Sequence, residues 1–146
     1  MERTNEMCKV GDIIVVNNFK IGEKILKRHS FVVLGTDNGE IEGLPYDLVC
    51  NIMSSFEGKG SDYKEKKLSY PENMAYSPTE ENIIHGHGKE GFIKAGVYFF
   101  FNRADTDFYV IGNVEVGLYL KLLEFVNNIQ PDQIKYILDN LKKEAD

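Results

Sequence analysis

No tryptophan occurs in the 146 residues, cysteine occurs only twice, and no stretch approaches the run of about 20 apolar residues that crosses a bilayer. A membrane span is therefore not expected. Cys8 and Cys50 are neither closely spaced nor numerous, which argues against a disulfide framework; two free thiols are expected, Cys50 inside a strand. The opening MERTNEMCKVGD lacks the basic-then-apolar order of a secretory signal, so the cytoplasm is the expected compartment. An excess of positive charge is missing as well. Seventeen Lys and Arg stand against 23 Asp and Glu, a net charge of -6, which disfavours indiscriminate attraction to phosphate polymers. Internal repeats and low-complexity tracts are lacking too.

What is present describes one globular domain over residues 1–146. Hydrophobic residues make up 42%, and the aromatic share rests on nine Phe and eight Tyr. Charge is unevenly spread: Lys20, Lys24, Lys27 and Arg28 face only Glu23 between Asn18 and Ser30, so a local basic rim on an acidic body is expected.

The first 113 residues read as short strands. VGDIIVVNNF, from Val10 to Phe19, is a strand opened by a Gly-Asp turn, and Ile25 to Thr36 forms the next. TDNG over Thr36 to Gly39 signals a tight turn, and YDLVCNIMSSF from Tyr46 alternates as a third strand ending in two serines. EGKGSDYKEKK is polar and glycine-bearing and reads as a mobile loop; ENIIHGHGKEG reads as a second loop. Between and after them lie strand pieces cut by Pro71 and Pro78, then the apolar GFIKAGVYFFFNR and DFYVIGN. After residue 113 the period changes. Asn113 is placed to cap a helix with Leu118, Leu122, Phe125, Val126 and Ile129 on one stripe. Pro131 is placed to open a second helix with Ile134, Ile137, Leu138 and Leu141 on one face. The expected fold is mainly β: a small barrel over about 9–113, with C-terminal α-helices over about 114–144.

Three groups carry candidate chemistry. Arg28 precedes a buried strand, and a guanidinium at a barrel lip presents a rigid, permanently charged fork suited to a phosphodiester oxygen. Ser54 and Ser55 end the third strand, where a hydroxyl could donate to the same phosphate or simply terminate pairing. His29, His85 and His87 titrate near neutrality, as proton-transfer groups must; the last two could equally be incidental to a solvated loop. His85 and His87 alone do not make a zinc site. Lys59, Lys64, Lys66 and Lys67 mix with Glu57, Asp62 and Glu65 as a solvated charge blend that could still touch RNA. The aromatic run Tyr98 to Phe101, with Phe108 and Tyr109, reads as core, interface or a base-stacking surface.

The order of segments resembles the MazF/PemK/Kid family of toxin ribonucleases, which share an SH3-like barrel with the gyrase poison CcdB. The matching pieces are Gly11-Asp12-Ile13-Ile14-Val15, then Lys27-Arg28-His29-Ser30-Phe31-Val32-Val33-Leu34, then Val49-Cys50-Asn51-Ile52-Met53-Ser54-Ser55. The resemblance implies a cytoplasmic, homodimeric, metal-independent endoribonuclease without cofactor, cutting single-stranded RNA such as mRNA to 2′,3′-cyclic phosphate and 5′-hydroxyl ends and neutralised by a cognate antitoxin. It puts Arg28 at the catalytic arginine and Ser54, with Ser55, at the hydroxyl position. Lys20, Lys24, Lys27, Lys59 and Lys94 are then candidate substrate-binding residues. Two departures stand out: His29 replaces the proline after the arginine, and Gly96 stands where an acidic residue is common. His29, His85 or His87 is the expected source of the missing proton transfer. Two rival expectations are a non-catalytic SH3-like module that binds protein, and a CcdB-like poison that cuts nothing.

Overall fold

The computed structural model describes residues 8–21, 24–36, 39–41, 44–56, 58–76, 84–85 and 90–138. Its strands are β1 (Asp12–Ile21), β2 (Lys24–Gly35), β3 (Gly39–Ile41), β4 (Leu44–Tyr46), β5 (Leu48–Ser55), β6 (Asn73–Tyr76), β7 (Ile84–His85), β8 (Gly91–Lys94), β9 (Val97–Phe101), β10 (Phe108–Val114) and β11 (Lys135–Ile137). Among the described residues two α-helices, α1 (Ser61–Leu68) and α2 (Val116–Asn127), complete a mainly β structure.

One nine-stranded sheet runs β11-β9-β5-β2-β1-β10-β7, with β8 beside β5 and β6 beside β8. Every pairing in it is antiparallel except that of β11 with β9. The β-branched runs IIVV and FVV place β1 and β2 at its centre, in register Val15↔Ser30 and Val16↔His29. Gly11, at φ +85, makes the turn that starts β1, a conformation glycine adopts without the Cβ penalty. The carboxylate of buried Asp12 accepts from the backbone N–H of Lys9 at 2.9 Å and holds that turn.

Strand alternation divides the interior into two cores. On one face Ile14, Val16, Phe31, Val33, Cys50, Phe99 and Phe101 pack with Phe19. Phe31 is edge-on to Phe19, Phe99 and Phe101 at centroid distances of 5.0–5.2 Å, a geometry worth about 0.5–1.5 kcal/mol per pair beyond area burial. On the other face Ile13, Val32, Met53, Ile93 and Met74 are covered by Leu118 and Leu122 of α2. The hydroxyl of Tyr119 donates to the Leu34 carbonyl at 2.8 Å and ties α2 to β2.

β8 and β9 behave as one strand broken at Ala95-Gly96. β9 pairs with the first half of β5 (Cys50↔Phe99) and β8 with the second (Met53↔Ile93), so the register slips by three residues between them. The slipped backbone is satisfied in other ways. Asn51, fully buried, donates from Nδ2 to the Val97 carbonyl at 2.9 Å and, at 3.5 Å, to that of Ala95. The Ala95 N–H donates to Glu72, and the Gly96 carbonyl accepts from Lys135. A Cβ at Gly96 would lie 2.9 Å from Glu72 Cβ, so the bend closes on glycine.

Three sequence expectations are corrected. The loop expected over EGKGSDYKEKK contains α1, because Tyr63 finds Phe56 at 6.4 Å and gives the polar helix something to pack on. The second C-terminal helix is replaced by a 3₁₀ turn at Pro131–Gln133 and by β11, because the Gly96 carbonyl offers Lys135 a strand partner; Leu141 lies outside the described residues. The cap of α2 is Glu115, not Asn113, which stays in β10. The tight turn expected at Thr36–Gly39 also falls largely outside the described residues.

Candidate functional site

Arg28 lies in β2 and is exposed. Its guanidinium carbon stands 5.5 Å from the ring centroid of Tyr109 on β10. Because β1 lies between β2 and β10, the side chain reaches across that strand, over buried Val15. Its contact is with an aromatic face; no carboxylate among the described residues lies within ion-pair distance. The charge therefore remains directed to solvent.

Register decides which serine accompanies it. The last β2/β5 pair is Ser30↔Met53, and two residues further on each strand are Arg28 and Ser55. Opposed residues of antiparallel strands share a face, so Arg28 and Ser55 lie on one side and His29 and Ser54 on the other. Both serines are half-buried. The carbonyl of Ser54 sits where a side chain at Gly91 would be, and the Tyr76 hydroxyl lies 2.8 Å from that same hypothetical Cβ. Ser55 opposite Gly91, and Tyr76 opposite Gly91 on β6, thus form a tight end to the three strands. Burial pushes the Tyr76 hydroxyl well above the ordinary phenol range.

Neither described histidine is level with Arg28 on its face of the sheet. His29 turns its ring edge-on to Phe19 at 5.5 Å, on the opposite face of β2. His85 is level with Asn113 and hence with Asp12, whereas Arg28 is level with Asn17; five residues of β1, roughly 16 Å, separate the two levels. His87 is outside the described residues. Of the candidate binding lysines, Lys24 is exposed at the start of β2, and Lys20 and Lys27 are placed by backbone pairing with Ile25 and Asn18.

A second basic group gathers elsewhere. Lys59 stands 5.3 Å from the Tyr63 centroid, and Lys67 stands 5.4 Å from Tyr63 and 5.9 Å from Tyr70. Lys94 rises from β8 beside Lys67; desolvation first, then the Lys67 charge, lower its pKa from the usual lysine range. Sequence reasoning named Lys59 and Lys94 but not the tyrosines that organise them. The signal was available: positions 59, 63, 67 and 70 have the i, i+4, i+8, i+11 spacing of one helical stripe. Of the aromatic run, Phe99, Phe100, Phe101 and Phe108 are buried, while Tyr109 is exposed.

Comparison with known proteins returns no match: no family model, no curated protein and no solved structure is similar to this chain.

Proposed function

We propose that the protein is an endoribonuclease that cuts single-stranded RNA at the rim formed by Arg28, Tyr109 and Ser55. The observation that supports it is the Arg28 guanidinium, exposed, braced on an aromatic ring and without a carboxylate among the described residues to neutralise it. In this reading the ribose 2′-oxygen attacks the adjacent phosphorus and the bond from phosphorus to the 5′-oxygen breaks. The proton leaving the 2′-hydroxyl is balanced by one delivered to the 5′-oxygen, giving a 2′,3′-cyclic phosphate and a 5′-hydroxyl. Arg28 stabilises charge on the phosphate oxygens, since a guanidinium hardly releases its proton. Tyr109 offers a face for an unpaired base, and Ser55 a hydroxyl for the same phosphate. An SH3-like barrel, a homodimer and a neutralising antitoxin belong to this reading. Incubation of the full chain with a long unstructured RNA in EDTA tests it. Discrete fragments with cyclic phosphate ends, lost in Arg28→Ala, are expected; intact RNA with the parent protein overturns it.

One observation favours a non-catalytic binding module instead. Val116 and Leu120, one turn apart on α2, are 70% and 57% exposed, an apolar stripe facing away from the core. Intact RNA together with a retained protein partner, lost in Leu120→Asp, is the outcome that reading expects.

A further inference from the structure

The α1 corner carries lysines that are not ion-paired among the described residues. Lys64 is paired, at 2.6 Å, with Glu90, the residue before β8. Lys59, Lys67 and Lys94 have no such partner among the described residues. Instead Lys59 and Lys67 flank one ring, Tyr63, and Lys67 also lies over Tyr70, which is 37% exposed. The backbone holds this arrangement in place. Asn73 Nδ2 donates to the Lys67 carbonyl at 2.9 Å, and Asn73 is the strand partner of Lys94. The end of α1 is thereby pinned above the face of β8 that carries Lys94.

Lys67 and Lys94, both half-buried, are brought to one corner by Asn73, and an anion placed between two such like charges removes their repulsion. A small anion would satisfy the charge and leave the aromatic component unused. Ammonium groups alternating with tyrosine rings match a phosphate backbone bearing stackable bases, since stacking is tolerant of sequence and the phosphates supply the charge. We propose that Lys67 and Lys94 clamp a backbone phosphate of single-stranded RNA, with Lys59 on the neighbouring phosphate and the open edge of Tyr70 against a base. The choice of RNA as the polymer rests on the nuclease reading above; the geometry of the clamp does not involve Arg28.

The test is a fluorescence-anisotropy titration of a labelled 2′-O-methyl oligouridylate, which cannot be cut through its 2′-oxygen, into the full-length protein at several KCl concentrations in EDTA. Parent protein, Lys67→Ala/Lys94→Ala and Lys66→Ala are compared, and thermal unfolding confirms that each is folded. Lys66 is an exposed lysine on the same helix and serves as the charge control. The double variant is expected to bind about tenfold more weakly at 0.1 M salt. The slope of log affinity against log salt should also fall by about 1.4, or ~0.7 for each lost contact to a single strand. Lys66→Ala should change affinity less than about twofold. Unchanged affinity and slope in the double variant, or an equal loss in Lys66→Ala, would overturn the proposal. Displacement of the oligonucleotide by inorganic phosphate at matched ionic strength would overturn it in favour of a small-anion site. The two readings fail separately. Unmodified RNA left intact while binding still depends on Lys67 and Lys94 defeats only the nuclease; cleavage with binding indifferent to both lysines defeats only the clamp.

Discussion

Arg28 and Tyr109 meet across an intervening strand, guanidinium over ring at 5.5 Å, although they belong to β2 and β10 and are separated by β1. The contact fixes where a charge is aimed while adding little to stability. Arg28→Ala should lower RNA cleavage by about 10²–10³-fold, as loss of one preorganised donor commonly does. The same variant should shift unfolding free energy by less than about 1 kcal/mol, the range of an exposed cation-aromatic pair. Gel-resolved cleavage and urea unfolding of one preparation measure both quantities.

The alternation of β5 makes the two serines unequal. Ser55→Ala should reduce cleavage by roughly tenfold, the loss of about 1.4 kcal/mol for one hydrogen bond to a charged group. Ser54→Ala, on the face opposite Arg28, should leave the rate within about twofold. Parent-like rates in both variants would mean that neither hydroxyl reaches the phosphate.

Asn51 offers a test of the fold itself. Its Nδ2 serves the carbonyls of Val97 and Ala95, while Oδ1 accepts no hydrogen bond among the described residues. Asn51→Ala removes the side-chain donor to both carbonyls from the buried slip and should cost about 2–3 kcal/mol of stability in urea unfolding.

Two glycines should respond with opposite sign. A methyl at Gly91 would meet the Ser54 carbonyl oxygen, so Gly91→Ala forces β5 and β8 apart and should destabilise by about 1–3 kcal/mol. Gly117, in α2, has nothing within 4 Å of its hypothetical Cβ, and Gly117→Ala should stabilise by about 0.4–1 kcal/mol. Thermal unfolding of the pair reads the difference directly.

Alkaline pH should expose the buried tyrosines. Burial raises the hydroxyls of Tyr76, Tyr98 and Tyr119, and Tyr136 adds to the effect at Tyr98. Below about pH 10 both folded and unfolded chains keep these protons. Above it the unfolded chain releases them first, so stability falls as pH rises. Lys94, shifted downward, works with the opposite sign: in the window below about pH 10.4 its unfolded form holds a proton that the folded form has lost, and stability rises with pH. Tyr76→Phe should flatten the fall above pH 10 in thermal unfolding scans; an unaltered slope would rule Tyr76 out as its source.

Where local pattern settles structure, the sequence was readable. The IIVV and FVV runs, the alternation of LVCNIMSS and the Leu118/Leu122 stripe place β1, β2, β5 and α2 with small errors at their ends. The failures share a cause. Ile134, Ile137 and Leu138 suit a helix as well as a strand, and the choice was made by the Gly96 carbonyl, some forty residues away. Helix α1 looked like a loop because Tyr63 and Leu68 are its whole apolar content, and its support comes from elsewhere in the chain: Phe56 against Tyr63, Glu90 on Lys64 and Asn73 on the Lys67 carbonyl. At the candidate site, Arg28 was visible as an oddly placed charge. That it shares a face with Ser55 follows only from extending the β2/β5 register, and its contact with Tyr109 required knowing that β10 lies beyond β1.

The three-residue slip at Ala95-Gly96 turns one length of chain into a fork. Before it, β8 bonds outward to β6 and supports the α1 corner; beyond it, β9 bonds outward to β11. Because β6 and β11 each bond to a different half of the broken strand, each branch can change length while the other keeps its ladder hydrogen bonds. A swap of the whole α1 appendage should therefore be accommodated without disturbing the aromatic interior.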